Sequence, residues 1–125
     1  FSDMLDMQQR MQTVEREFDQ FLRQFLLKQA LDALARTKAN TPVDTGLLRD
    51  SWTIGEVQQI GNSLVVTISN PTEYASFVEY GHMTRDRKRW VEGKFMCTLA
   101  IDEVSRLIPQ RFQMDFAAWV RRLGL

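Results

Sequence analysis

A single cysteine, Cys97, and a single histidine, His82, stand among the 125 residues. One thiol forms no intrachain disulfide, and one thiol with one imidazole falls short of the three or four ligands a zinc site needs. Cys97 carries no flanking signature of a catalytic thiol, and no Gly-x-Ser-x-Gly elbow surrounds Ser51. Gly55, Gly61 and Gly81 are too scattered for a phosphate-cradling loop. Charge of either sign is not in excess either. Sixteen Lys and Arg face sixteen Asp and Glu, which argues against duplex binding as a property of the whole domain. No apolar run reaches the roughly 18 residues of a membrane span, and Phe1-Ser2-Asp3 does not open a basic-then-apolar signal pattern. These absences lead to the expectation of a soluble cytoplasmic protein with no enzymatic centre, no cofactor, no metal and no membrane partner.

What is present is apolar and helical. Hydrophobic residues make up 44% of the chain, with eight Phe and three Trp, enough for one folded domain with a real core. Met4, Met7, Met11, Val14, Phe18, Phe21 and Phe25 recur at helical spacing, and no Pro or Gly interrupts the chain before Pro42. A single helix to Ala39 would be about 55 Å long, whereas a compact domain of this size has a radius of gyration of only about 14 Å. Either the helix breaks near Gln12–Thr13, leaving a main helix over about Thr13–Ala39, or its first turns reach another subunit. The break is the expectation carried forward.

Pro42 ends that helix, and Asp44 or Thr45 can cap a short turn carrying Leu47 and Leu48. Alternation through Trp52, Ile54 and Glu56, and again through Leu64, Val66 and Ile68, predicts an antiparallel hairpin turning at Gly61-Asn62-Ser63. Asn70 is placed to cap a further helix, with Pro71 at its first position, Glu73 as a capping-box carboxylate and Gly81 at its C-terminal end. A polar loop over His82–Arg89 then precedes a short strand at Trp90-Val91. Met96 to Ile108 and Phe112 to Leu123 predict one or two C-terminal helices, kinked or restarted at Pro109. The fold class is α+β: a long N-terminal helix, a small antiparallel β-sheet with helices packed on it, and a helical C-terminus.

The one sharp electrostatic feature is Arg85-Asp86-Arg87-Lys88-Arg89 beside Trp90. Cations next to an aromatic can grip phosphates and stack a base, but in a neutral chain a solvated loop or a docking surface for an acidic neighbour is the stronger reading. Met4, Met7 and Met11 are expected in core or subunit packing.

Two segments carry a family resemblance. Thr41-Pro42-Val43-Asp44-Thr45-Gly46-Leu47-Leu48-Arg49-Asp50-Ser51-Trp52 follows the long helix and precedes the hairpin, and Asn70-Pro71 leads into Tyr74-Ala75-Ser76-Phe77-Val78-Glu79-Tyr80-Gly81-His82. With the later Trp90-Val91-Glu92-Gly93-Lys94-Phe95-Met96, this order resembles the bacteriophage neck or tail-completion family, encoded by tailed phages and prophages. The resemblance implies a structural virion protein of the neck and tail, assembled in the bacterial host cytoplasm and not an enzyme. It implies a homo-oligomeric ring of six or twelve copies that completes the tail and joins it to the head. The implied partners are other neck proteins and the tail tube or terminator. Residues 13–125 would form the single tail-completion-like domain, and residues 1–12 an N-terminal segment at the subunit boundary. Pro42, Gly46 and Gly81 would set turns; Tyr74, Phe77, Val78 and Tyr80 would pack; Asp44, Thr45, Leu48, Arg49, Ser51, Ala75 and Glu79 complete the scaffold motif. Arg85, Arg87, Lys88, Arg89 and Trp90, with Met4, Met7 and Met11, would contact partners. The alternative is a small DNA-binding or packaging accessory protein, using the 85–89 loop on channel DNA without sequence preference.

Overall fold

The computed structural model describes residues 2–42 and 46–124. Val43, Asp44 and Thr45 lie outside the described residues, so the expected Asp44 or Thr45 cap does too. Helix α1 spans Ser2–Asn40, α2 spans Gly46–Asp50 and α3 spans Ala75–Tyr80, while α4 spans Met96–Arg122. Between them lie β1 (Thr53–Ile54), β2 (Gln58–Ile60), β3 (Ser63–Val65), β4 (Ile68–Ser69), β5 (Gly81–Met83) and β6 (Trp90–Glu92). The class is α+β, as the sequence predicts.

The expected break near Gln12–Thr13 does not occur, and α1 runs through it. Good helix formers fill Gln8 to Gln12, Asp6 pairs with Arg10 at 3.0 Å one turn on, and the Thr13 hydroxyl donates back to the Gln9 carbonyl at 3.0 Å. Nothing there competes with the helical ladder. Nor does Pro109 divide α4, which is one helix across it. The Pro109 ring leaves the Ser105 carbonyl without its helical donor, but both residues are exposed, so water can serve that carbonyl.

α1 and α4 run antiparallel. Asn40 Nδ2 donates to the Met96 carbonyl at 3.1 Å at one end of the seam. At the other end Phe18 meets Phe116 and Trp119, with ring centroids 6.1 and 5.5 Å apart. Phe21 and Phe25 stack edge-on against Phe112 at 5.9 and 5.4 Å, so the predicted Phe stripe is the apolar half of this seam. A polar cluster borders its middle. Asp32 accepts from Arg111 at 2.7 Å and from Arg36 at 3.1 Å, and Arg36 reaches on to Glu103 at 3.0 Å. Partial burial pushes the Asp32 carboxyl up, but the hydrogen bonds from Arg111 and Arg36 outweigh it and hold the group below the ordinary carboxylate range.

The strands form three separate two-stranded antiparallel sheets rather than one. β1 with β4 and β2 with β3 are successive stretches of the predicted hairpin, closed by Gly61 at φ 60°. Between the stretches, three residues (Gly55 to Val57) oppose two (Val66 and Thr67), a bulge that interrupts pairing and shifts the alternation. The hairpin lies along α1: Trp52 Nε1 donates to Thr41 Oγ1 at 2.9 Å, and Arg23 reaches Gln59 at 3.2 Å nearer the tip. The core gathers where these elements meet α4, around Leu48, Trp52, Ala75 and Met96.

Asn70 does not cap α3. Its Oδ1 accepts from the Thr72 amide at 3.0 Å and hydroxyl at 2.7 Å, and its Nδ2 ties to the Leu48 carbonyl at 2.8 Å. Pro71 and Glu73 therefore sit in a preceding turn, and α3 starts only at Ala75. A local Asx turn has won over the helix start. The C-terminal end is as predicted, with Gly81 at φ 90°. A Cβ there would stand 2.6 Å from the Val91 carbonyl oxygen and 2.8 Å from the Trp90 ring, so only glycine joins α3 to β5 at this point.

Glu79, only 5% exposed, fastens α3 to α4. Its carboxylate accepts from the amides of Cys97 and Thr98, each at 2.9 Å, and from the Thr98 hydroxyl at 2.7 Å. These amides are among the donors that the first turn of any helix leaves unpaired. Phe95, the residue at the cap position, is left-handed at φ 48° and supplies no side-chain cap, so Glu79 replaces it from another element. The backbone repeats the link: the Lys94 and Phe95 amides donate to the Val78 and Glu79 carbonyls at 2.7 and 2.9 Å.

Two predictions follow from these contacts. Glu79→Ala should lower unfolding stability by about 2–3 kcal/mol in urea denaturation, and Glu79→Gln by about half as much, since one acceptor survives. An unshifted midpoint in Glu79→Ala would contradict the cap. Because the folded Asp32 carboxyl titrates below its unfolded value, its contribution is complete above about pH 4 and lost as pH falls through the folded pKa. Asp32→Asn should therefore cost about 1 kcal/mol at neutral pH and give a shallower acid loss than the unaltered chain. Parallel acid profiles would refute that linkage.

Candidate functional site

The first motif segment is structural where it is described. Thr41 is buried, donates to the Thr37 carbonyl at 2.7 Å and accepts from Trp52, so it clasps the end of α1 to the start of the hairpin. Leu48 is fully buried in the core. Ser51 closes α2 by donating from its hydroxyl to the Leu47 carbonyl at 2.6 Å. Arg49 is exposed at the end of α2. A Cβ on Gly46 would meet nothing within 4 Å and its backbone is not left-handed, so neither space nor conformation demands glycine there. The Asp44 and Thr45 positions lie outside the described residues.

The second segment divides by face. Ala75 and Glu79, one turn apart, point inward, and Tyr74 and Val78 pack partly against the same core. Helical geometry then turns Phe77 and Tyr80 the other way. They are 53% and 63% exposed, so the packing role expected for these two is not met within one chain. Phe77 touches His82 with centroids 5.5 Å apart, and Tyr80 meets Phe95 edge-on at 6.4 Å. Met83 and Trp90, cross-strand partners in β5 and β6, are exposed as well. An aromatic surface thus surrounds the second hairpin.

The basic loop is the tip of that hairpin. Thr84 and Arg89 close it, the Thr84 amide donating to the Arg89 carbonyl at 2.8 Å. Asp86 accepts from the Thr84 hydroxyl at 2.5 Å and from the Lys88 amide at 3.1 Å. These two hydrogen bonds, the hydroxyl's first, hold its carboxyl below the usual range. The one local acid is therefore engaged with the loop's own turn. Among the described residues, Arg85, Arg87, Lys88 and Arg89 form no ion pair, and all four are exposed. They present an uncompensated cationic tip, while the Trp90 ring lies back over Gly81.

The third surface is the start of α1. Phe18 is the first residue to meet α4 through its ring, and every described residue from Ser2 to Thr13 is exposed. Twelve residues at 1.5 Å each carry the helix about 18 Å past its contacts. Met4, Met7 and Met11 are 74%, 64% and 59% exposed, so they belong to no core within the chain.

His82 and Cys97 lie on different elements, β5 and α4. The imidazole rests on Phe77, and no hydrogen bond joins it to the thiol among the described residues. Burial pushes the Cys97 thiol up, against a lowering contact with Thr37 and with help from the Glu79 charge, and a protonated thiol is a poor nucleophile. Among the described residues no group of three or more His, Cys, Asp or Glu side chains is arranged to hold a metal. No described helix is long and apolar enough to cross a membrane.

Sequence reasoning did not find the Glu79 cap, the Thr41–Trp52 clasp or the Asp32 cluster. The available signals were the i,i+4 spacings of Ala75 with Glu79 and of Asp32 with Arg36. The first puts a carboxylate on an apolar face; the second is a common surface pair until α4 brings Arg111.

No curated protein and no solved structure gives a significant match to the chain. A family model does match, over residues 6–81, and its description is bacteriophage HK97-gp10, putative tail-component. The match takes in most of α1, the first motif segment and the second as far as Gly81, more than half of the chain. The chain therefore belongs to the HK97-gp10-like family of bacteriophage tail components.

Proposed function

We propose that this tail component is a structural protein of the phage neck, forming a closed ring of six or twelve copies that completes the tail and joins it to the head. The observation that carries this reading is the apolar face of α1 that its own domain leaves uncovered, Met4, Met7 and Met11 in sequence. A stripe of this kind in a protein of near-zero net charge is most economically covered by another protein surface, and repetition of one heterologous contact closes a ring. On this reading residues 1–12 are the intersubunit segment and 13–125 the domain proper. Membership in a tail-component family supports a place in the virion, contacts with other tail proteins and a structural rather than enzymatic role.

The second surface serves the axial neighbours. Four unpaired cations at the tip of a hairpin whose base carries exposed Trp90, Tyr80 and Phe77 suit an acidic, partly apolar surface on the next ring. Charges at such a rim speed encounter more than they add net affinity. The same tip would serve DNA in the alternative reading, and salt-sensitive binding of duplex DNA by the purified chain would favour that alternative.

Two outcomes are expected. Deleting residues 1–12 should abolish self-association in sedimentation velocity while leaving the circular dichroism and unfolding midpoint nearly unchanged; outright unfolding would make the segment core. Replacing Arg85, Arg87, Lys88 and Arg89 together by Ser should shift stability by no more than about 0.5 kcal/mol each and slow head–tail joining in a complementation assay. Raising salt should mimic that defect in the unaltered protein, since the Debye length is about 10 Å at 0.1 M. Normal joining rates at low salt would leave the loop as solvated surface.

A further inference from the structure

The free start of α1 has a counterpart on the same chain. Beside the far end of the α1–α4 seam lies an open groove of about 660 Å³, with Phe21, Phe25 and Ala118 along its floor. Lys28, Arg121 and Arg122 stand at its edges with a single acid, Asp115. Lys28 approaches Asp115 at 3.7 Å, and among the described residues Arg121 and Arg122 have no acidic partner. The groove is therefore cationic toward the C-terminal end of α4 and near neutral toward Asp115.

The start of α1 carries the complementary pattern. Asp3 and Asp6 come first and Arg10 follows, along the helix that bears Met4, Met7 and Met11. Residues 3 to 11 span about 12 Å, and residues 115 to 122 of α4 about 10 Å. If a helix lies in the groove antiparallel to α4, one register sets Asp3 and Asp6 near Arg121 and Arg122, the methionines over Phe21, Phe25 and Ala118, and Arg10 near Asp115. The reverse direction would oppose Arg10 to Arg121 and Arg122. Unbranched methionine side chains adapt readily to an aromatic floor. The start of α1 is rigidly continuous with the helix that forms one wall of this groove, so it cannot turn back into its own groove.

We propose that the first three turns of α1 dock into the groove between α1 and α4 of a second copy of this chain, antiparallel to that copy's α4, and that Arg121 and Arg122 select the direction. The contact is head-to-tail, so each copy both donates a helix and accepts one. This rests on the ring reading above and identifies the surfaces that would form the ring.

The test uses the full chain. Asp3→Lys with Asp6→Lys, and separately Arg121→Glu with Arg122→Glu, should each weaken self-association about tenfold or more in sedimentation equilibrium at low salt. Mixing the two variants should restore it, because lysine-bearing helices then meet glutamate-bearing grooves while the aspartates meet the remaining arginines. Oxidation of Met7→Cys mixed with Ala118→Cys should yield a covalent heterodimer that the unaltered protein, with Cys97 alone, does not. Association that persists through both reversals, or a mixture that fails to recover, overturns the proposal and leaves the ring reading standing on another surface. Sensitivity to the groove reversal alone means that the groove receives a different surface of the second copy, and also overturns it. An unaltered chain that stays monomeric at about 100 µM, well above typical subunit affinities, defeats both the ring reading and this contact.

Discussion

Removing the Glu79 carboxylate from water is unfavourable by several kcal/mol unless its oxygens are satisfied, and here the donors come from two amides and a hydroxyl at the start of α4. The arrangement solves two problems at once. α4 begins at a left-handed residue that cannot cap it, and α3 is too short to hold its own position by packing. With the charge placed on the helix's positive end, α3, the Gly81 turn and the second hairpin are held against the longest element after α1. Gly93 completes the joint, since a Cβ there would lie 2.5 Å from the Glu79 carbonyl oxygen. The basic tip and the aromatic surface at the base of its hairpin inherit their position from this one contact.

The seam between α1 and α4 meets a different constraint. Two helices of 39 and 27 residues cannot match end to end, and the antiparallel register set by the Asp32–Arg111 pair and the Phe ladder leaves the surplus at the start of α1. A polar cluster bordering the middle of an apolar seam fixes register better than aromatic rings alone, because a slip of one turn would leave charges unpaired. The groove beside the seam and the free helix beyond it are both products of that register.

The family match ends at Gly81, whereas the groups that satisfy Glu79 and form the second wall of the seam lie in α4. The matched segment thus carries an acid whose partners fall outside it. In this chain the C-terminal helix shares its core and its Glu79 contact with the motif segments.

Residue order alone determined most of the element list. Uninterrupted helical periodicity marked α1 as helix, though the expected domain size wrongly pointed to a break near Gln12–Thr13; alternation around a glycine turn specified the first hairpin, and Gly81 marked the end of α3, because each depends on neighbours within a few positions. Local strength also explains why α1 does not break: Gln8 to Thr13 contain nothing that competes with the helix. The other failures were non-local. Whether Asn70 caps a helix or an Asx turn depends on the Leu48 carbonyl that its amide reaches. Phe77 and Tyr80 look like core in a motif, yet they face out because Ala75 and Glu79 hold the inward face. Glu79 is an ordinary surface acid until α4 arrives with unpaired amides, and Asp32 an ordinary i,i+4 partner until Arg111 joins it from 79 residues away. The composition could say that the chain has more apolar helix than one domain can cover; only the tertiary register of α1 on α4 decided which twelve residues remain uncovered, because register is a property of two surfaces and not of either sequence segment by itself.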